Sequence, residues 1–361
     1  EAIAAFEAAG KSDFDVACRD GLPTTVERLL PEQQSKHIGR GLEIAATYGR
    51  RSCVEVLTNE QSKLTAEQLS AALRAAAKGD GERDLGKLTT LVSNTGFLAT
   101  DNDSSVVELE DELRSSIASR LLKCGAVVDD PDEQNQTALH LACASGYAKT
   151  VQVLIDAGAD VDAAEKNMGL TCLHVALTDD VVKRLSAAKA DLGKVKHNGG
   201  SPLEWHASSG NLSQLQMLLL MKANVNQKRP HDGTTAIFMA VQSGHLGPVS
   251  LLTAAKGTVD APSEGSSALI RACSMGEMPM VDLLIRLKAD INLRNRNGDS
   301  PLNLACYKGH AEVAAALVDM GADYLNTDST GISAVEQARV CNHHHVVAVL
   351  AERILKKGDN R

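Results

Sequence analysis

The chain has 361 residues and a formal net charge of −9, from 37 Lys and Arg against 46 Asp and Glu. That balance excludes non-specific attraction to nucleic acid or to an anionic membrane as a global property. No run of about 18 apolar residues offers a membrane span and no signal peptide opens the chain, so membrane insertion is not expected. It begins at Glu1 rather than Met, which points to a piece of a longer protein.

From the N-terminus, Val16-Ala-Cys18 and Gly21, followed by Val26 and Leu29, set a phase that returns throughout the chain. Ala45, Gly49, Val54 and Leu57 repeat it, and a third unit is expected at Leu73–Gly79 with Leu88 and Leu91. Residues 1–91 therefore read as degenerate helical repeats. From Val92 to about Leu113 the register is lost in an acidic run, and residues 92–115 are expected to form an extended, solvated insertion or loop. Its six acids offer a surface for a basic partner. Asp101, Asp103, Ser105 and Glu112 stand at calcium-loop positions, but Val106 occupies the position that needs Gly, so calcium binding is not expected.

The register resumes at Ile117, Leu121, Leu122 and Gly125, and residues 116–361 are predicted to be regular repeats with a C-terminal cap. The opening hydroxyl residues Thr137, Thr171, Ser201, Thr235, Ser267, Ser300 and Ser333 are spaced by 34, 30, 34, 32, 33 and 33. In the clearest copy Thr137 suits a helix N-cap, and Leu139, Leu141 and Ala142 stripe a short helix that Gly146 ends. Val151, Val153, Leu154 and Ile155 stripe a second helix, which Gly158 stops in a left-handed conformation. Neither helix buries its stripe alone, so neighbouring copies must stack and share a core.

The second copy is shortened between Ala176 and Val182. Lysine takes the Gly158 slot at Lys189, Lys222 and Lys288, with its cation near the helix carbonyls. Cys18, Cys143, Cys273 and Cys306 each follow an alanine and precede a glycine by three residues, one apolar slot seen four times. There is no CxxC pair, so reduced structural thiols are expected, and with them a reducing, intracellular and cytoplasmic setting. Asn342-His-His-His-Val346 falls where earlier copies carry Gly309-His310, so His343 is a register residue and the other two are expected to be exposed.

Thr137-Ala-Leu-His140, Thr171-Cys-Leu-His174, Gly309-His310, Gly158-Ala-Asp160-Val161 and Gly321-Ala-Asp323 together resemble the signature of the ankyrin repeat, from about residue 116 to 350. The resemblance implies an all-α solenoid of stacked helix-turn-helix units. β-Hairpin fingers would project from it at right angles, and its concave face would bind other proteins. Dividing the chain by its period gives about ten to eleven repeats. The resemblance explains His140 and His174, whose imidazoles would tie one hairpin to the next. It also places Asn226 and Asn292 in a context similar to the family's asparagine-hydroxylation sites, where shaping the hairpin is the plainer role.

Two surfaces follow as candidate binding sites. Across the expected fingers run Lys194, Lys196 and His197, then Lys228, Arg229 and His231, then Arg294 and Arg296, a basic row in an acidic chain. Such a row suits an acidic or phosphorylated peptide. On the last turn of the first helices, small residues at Ala144, Ser145, Ser208 and Ser209 leave a groove. Met275, Tyr307 and Lys308 stand at its C-terminal half, where Tyr307 and Met275 are the expected anchors. Trp205 is expected in the core, where other copies have Leu or Met. No nucleophile elbow, phosphate loop, metal dyad or paired carboxylates stand off the register, so neither an enzyme nor a cofactor is expected. The expected function is a monomeric, non-catalytic scaffold that binds partner proteins. The alternative is a targeting or regulatory array within a larger effector such as a kinase, a palmitoyltransferase or a ubiquitin-ligase adaptor.

Overall fold

The computed structural model describes residues 13–59, 64–79, 104–263 and 265–358. Within these the chain is all-helical, and its twenty α-helices pair head to tail in two compact units, Glu1–Asp191 and Leu192–Arg361. In the first unit α1 (Asp13–Asp20) pairs with α2 (Pro23–Leu29), α3 (Ser35–Thr47) with α4 (Arg51–Asn59), and α5 (Ala66–Lys78) with α6 (Ser104–Lys123). Two further pairs follow, α7 (Ala138–Ser145) with α8 (Ala148–Asp156) and α9 (Cys172–Val175) with α10 (Asp179–Ala187). The second unit contains α11 (Pro202–Ser209) with α12 (Leu212–Leu220), α13 (Ala236–Gln242) with α14 (Leu246–Ala254), and α15 (Ala268–Met275) with α16 (Met278–Arg286). It ends with α17 (Pro301–Lys308) on α18 (Ala311–Asp319) and α19 (Ala334–Val340) on α20 (His344–Gly358). In each unit first helices stack on first helices and second on second, as a solenoid requires.

Local chemistry sets these boundaries. Thr137, Thr171, Ser201, Thr235, Ser267, Ser300 and Ser333 are all N-caps in extended conformation. In the last five the hydroxyl accepts the N–H three residues on. Gly146, Gly210, Gly276 and Gly309 end first helices in the left-handed region. At the end of the second helices Lys189, Lys222 and Lys288 adopt φ of 64°, 69° and 63°, and Lys256 joins them at 68°. A left-handed conformation disfavours a side chain, and the cation beside the terminal carbonyls partly offsets that cost.

The shared core is made of small residues. Leu139, Ala142, Cys143 and Leu154 have no exposed surface, nor do their register mates Leu269, Ala272, Cys273 and Ala305. Burying a leucine completely contributes about 1.5–3 kcal/mol. All eight cysteines are free, and burial pushes the thiols of Cys18 and Cys306 up to about 12. His140 holds two repeats together: Nδ1 accepts from the Thr137 N–H at 3.3 Å, and Nε2 lies 3.2 Å from the Leu170 carbonyl in the next copy.

The fingers are tight turns closed by paired backbone bonds, such as Lys196 N–H to Gly200 O with Gly199 N–H to Lys196 O, and the β-pairing among the described residues is limited to two isolated bridges, Ser263 with Ser266 and Thr327 with Ser333. Neighbouring fingers touch through their backbones, with Arg296 N–H on Gly265 O and Ser329 N–H on Asn297 O. At the finger bases a short acceptor side chain reaches the next copy's backbone. Asp129 takes the Asp160 N–H and Asp162 takes Asp191. Asn226 takes Thr258, Asp260 takes Asp290, and Asn292 takes Asp323. Asn226 and Asn292 thus shape the hairpins. Gly193 occupies this position without a side chain, and there Gln227 Nε2 donates to the Gly193 carbonyl instead.

The acidic stretch differs from its expected extended form. Leu88, Leu91 and residues 92–103, with Asp101 and Asp103, lie outside the described residues, but from Ser104 onward the chain is the second helix of the third pair. That helix carries a buried polar cluster. Asp111 accepts the N–H groups of Lys149 (2.6 Å) and Thr150 (2.9 Å) at the start of α8, where Tyr147 provides no side-chain cap. Arg114 pairs with Glu110 at 2.7 Å and donates to the carbonyls of Thr47 and Ala76. Tyr147 donates to the same Glu110 at 2.8 Å. These acids serve the chain's own helices.

Candidate partner-binding surface

The sequence-predicted residues all lie in the second unit, and the structure separates them by what they touch. Arg229 is held inside the chain. Its Nε lies 3.0 Å from both carboxylate oxygens of Glu204, and the two side chains are 11% and 6% exposed. Glu204 takes the helix position that His140 and His174 occupy earlier, so a buried acid replaces the imidazole and draws the guanidinium in. A charge buried at this level requires its partner. Arg229 is therefore an internal ion-pair residue, in contrast to its expected place in the exposed row.

Lys196 is half-buried, with Nζ 4.2 Å from the centre of the Trp205 ring, a cation–π geometry. Burial lowers the pKa of its ammonium. Trp205 corrects the sequence expectation: it is half-buried on the finger side of α11, and the finger residue Lys196 covers it. Its register mates Leu141, Met239, Arg271 and Leu304 are half-buried as well, so in these copies the position lies between core and surface on the first helix.

Lys228, His231, Arg294, Arg296 and Lys308 are exposed. Arg294 donates to Asn326 of the following finger, and the Arg296 side chain lies across Gly265 of the preceding one. Among the described residues no carboxylate pairs with Lys228, Arg294, Arg296 or Lys308. Tyr307 is 50% exposed, and Lys308 Nζ stands 5.1 Å from its ring centre. Met275 is half-buried on the helix before it. Val340, in the register of Tyr307 one copy later, is 72% exposed. The face so formed carries finger cations with no carboxylate partner among the described residues, and a partly aromatic floor on α11, α13, α15 and α17 that is apolar except at Arg271.

Two of the three histidines near the C-terminus, His343 and His345, are occupied by backbone. His343 Nε2 lies 3.1 Å from Tyr307 O, as His310 lies 3.1 Å from Ser274 O, which places His343 in the repeat register. His345 is exposed and meets Gly309 O at 3.0 Å, and His344 is exposed. Among the described residues no cluster of His, Cys, Asp or Glu has metal-binding geometry, and no helix is long and apolar enough to cross a membrane.

Sequence reasoning placed Gln242 on the last turn of its first helix, passed over Glu204 and Arg271, and misplaced Trp205. A signal for Trp205 and Arg271 was available: both stand four residues after an N-cap, a position where the copies vary.

The family described as ankyrin repeats (3 copies) matches residues 111–196, 203–295 and 277–360. The B-cell lymphoma 3 protein homolog of Mus musculus is 35% identical over 139 residues, 37% of this chain and 31% of that protein. The nuclear factor NF-kappa-B p105 subunit of Gallus gallus is 27% identical over 227 residues, 61% of this chain and 20% of that protein. The ankyrin repeat and KH domain-containing protein mask-1 of Caenorhabditis elegans is 28% identical over 281 residues, 76% of this chain and 10% of that protein. In each case the alignment spans less than a third of the relative's own length. With the capped helix pairs, the glycine-closed turns and the bridging histidines, these matches make the chain a member of the ankyrin-repeat family.

Proposed function

We propose that the chain is a non-catalytic scaffold that binds an acidic segment of a partner protein on the fingers and first helices of its second unit. Ankyrin repeats are a general protein–protein interaction module, which supports the class of function. The observation that carries the site is the set of exposed cations Lys228, Arg294, Arg296 and Lys308, which no carboxylate of the described chain neutralises although its net charge is −9. Arg is suited to paired contacts with a carboxylate, and Tyr307 supplies an aromatic surface beside it. The contact area needed is of ordinary size, about 1,600 Å² in total.

The test is affinity capture with the wild-type chain and with a variant carrying Lys228, Arg294, Arg296 and Tyr307 all changed to alanine, matched by circular dichroism. Arg229 is left intact because its removal would disturb the fold. Loss of a partner from the variant, with competition by poly-L-glutamate against the wild type, supports the proposal. Identical capture by both refutes it. A second reading, an array that targets or regulates a larger effector, is favoured by the short share of each relative that the alignments cover.

A further inference from the structure

The first helices of the second unit present Trp205, Met239, Arg271 and Leu304 in one row, four residues after their N-caps, and all four are half-buried. Arg271 is the cation of this row, set between a methionine and a leucine. Its Nε is buried with no hydrogen-bond partner, and no carboxylate pairs with it among the described residues. On the adjacent helix α13, Gln242 Oε1 is likewise buried without a partner. A donor and an acceptor on neighbouring helices of one groove are thus left unsatisfied, and buried polar atoms ordinarily have partners. Toward the C-terminal end the half-exposed Tyr307 ring and the Lys308 ammonium continue the wall.

We propose that Arg271 is the specificity-determining residue of the groove, and that it takes a single Asp or Glu carboxylate of an extended peptide segment lying across the first helices. The guanidinium donates to the carboxylate, Gln242 Oε1 accepts a backbone N–H of the peptide, and Met239 and Tyr307 receive apolar groups on either side. A guanidinium fork in an apolar floor rewards a correctly placed carboxylate and penalises a neutral group, because the buried donor then stays unpaired. The finger cations gather acidic chains by general attraction, whereas Arg271 fixes their register. This inference rests on the reading that the occupant is acidic, and adds the residue that reads it.

The test uses the whole chain and fluorescein-labelled poly-L-glutamate, with affinity measured by anisotropy. Arg271→Leu introduces the residue that Leu141 and Leu304 carry in the same slot, so the fold is expected to survive. The expected result is a loss of about tenfold or more in affinity for Arg271→Leu and an intermediate loss for Arg271→Lys, which keeps the charge and lacks the fork. A finger variant, Lys228→Gln with Arg296→Gln, is expected to weaken binding independently and to increase its salt independence. Wild-type affinity in Arg271→Leu alongside a weakened finger variant overturns the role of Arg271 and leaves the acidic-partner reading standing. Absence of binding by the wild-type chain overturns both. If Arg271→Leu does not fold, Arg271→Lys decides: a drop of about threefold or more supports the proposal, and no change overturns it.

Discussion

Replacing Arg229 by alanine tests the division between residues that hold the array and residues that face outward. The guanidinium makes hydrogen bonds to both oxygens of Glu204 at 3.0 Å, in a site where the two side chains are 11% and 6% exposed. Removing one partner of a buried pair costs about 3–5 kcal/mol, and the residual exposure and screening reduce that to about 2–4 kcal/mol here. The same substitution at the exposed Lys228 is expected to stay within about 0.5 kcal/mol. Urea unfolding followed by circular dichroism, with hydrogen exchange across residues 201–240, measures both. Because the loss comes from a stranded carboxylate, Arg229→Met combined with Glu204→Ile should recover most of it; Ile270 already occupies the Glu204 slot in another copy. An Arg229→Ala chain as stable as the wild type, or a double variant no better than the single one, would refute the reasoning.

Asp111→Ala removes the acceptor for two amides at the start of α8, so the amides of Lys149 and Thr150 should exchange faster and stability should fall by about 1–3 kcal/mol, with Asp111→Asn milder. Unchanged exchange there would show that the cap is dispensable. Burial lowers the pKa of His140 below its ordinary value, so the folded state resists protonating it. Its contribution is complete above about pH 6.5 and is lost as the pH falls below that value, where the unfolded chain takes up the proton first. His140→Asn, which places there the residue found at Asn303, should flatten that part of a stability–pH profile. Native thiol labelling should modify the half-exposed Cys124 and Cys341 first and reach Cys273 and Cys306 only on unfolding, because burial pushes those two thiols up. Lys222→Gly should stabilise the chain by about 0.5–1 kcal/mol in thermal unfolding, since φ of 69° strains a side chain and not a glycine.

The repeat was legible because one backbone geometry recurs and selects the same few residues each time. A hydroxyl at Ser300 and a glycine at Gly309 state the ends of α17 without reference to the rest of the molecule. The left-handed lysines Lys189, Lys222 and Lys288 were legible by the same logic, and the structure adds Lys256 in the same slot. What stayed hidden were contacts between copies that only one copy makes. Glu204 finds Arg229 25 residues away, and Asp111 finds the start of α8 38 residues away, and no period announces either. Trp205 was misread for a different reason. On an eight-residue helix the half-buried side next to the fingers and the fully buried side next to α12 both carry apolar residues, and hydrophobicity does not tell them apart.

The acceptor side chains at the finger bases make each repeat a template for the next, because the turn of one copy closes properly only when its neighbour's amide is in place. Asn226, Asp260 and Asn292 thread this dependence through three consecutive joints of the second unit. At Gly193 the thread changes character: the link comes back from Gln227, through a side chain with more rotatable bonds and more entropy to lose. Across the same joint the buried Arg229–Glu204 pair ties α11 to the finger before α13, so the pair α11–α12 should detach from α13–α14 early only when that ion pair is removed. A consequence for binding follows. Trp205 lies on one side of this seam and Met239 and Arg271 on the other, so a segment laid across all three would brace a joint that otherwise depends on one ion pair.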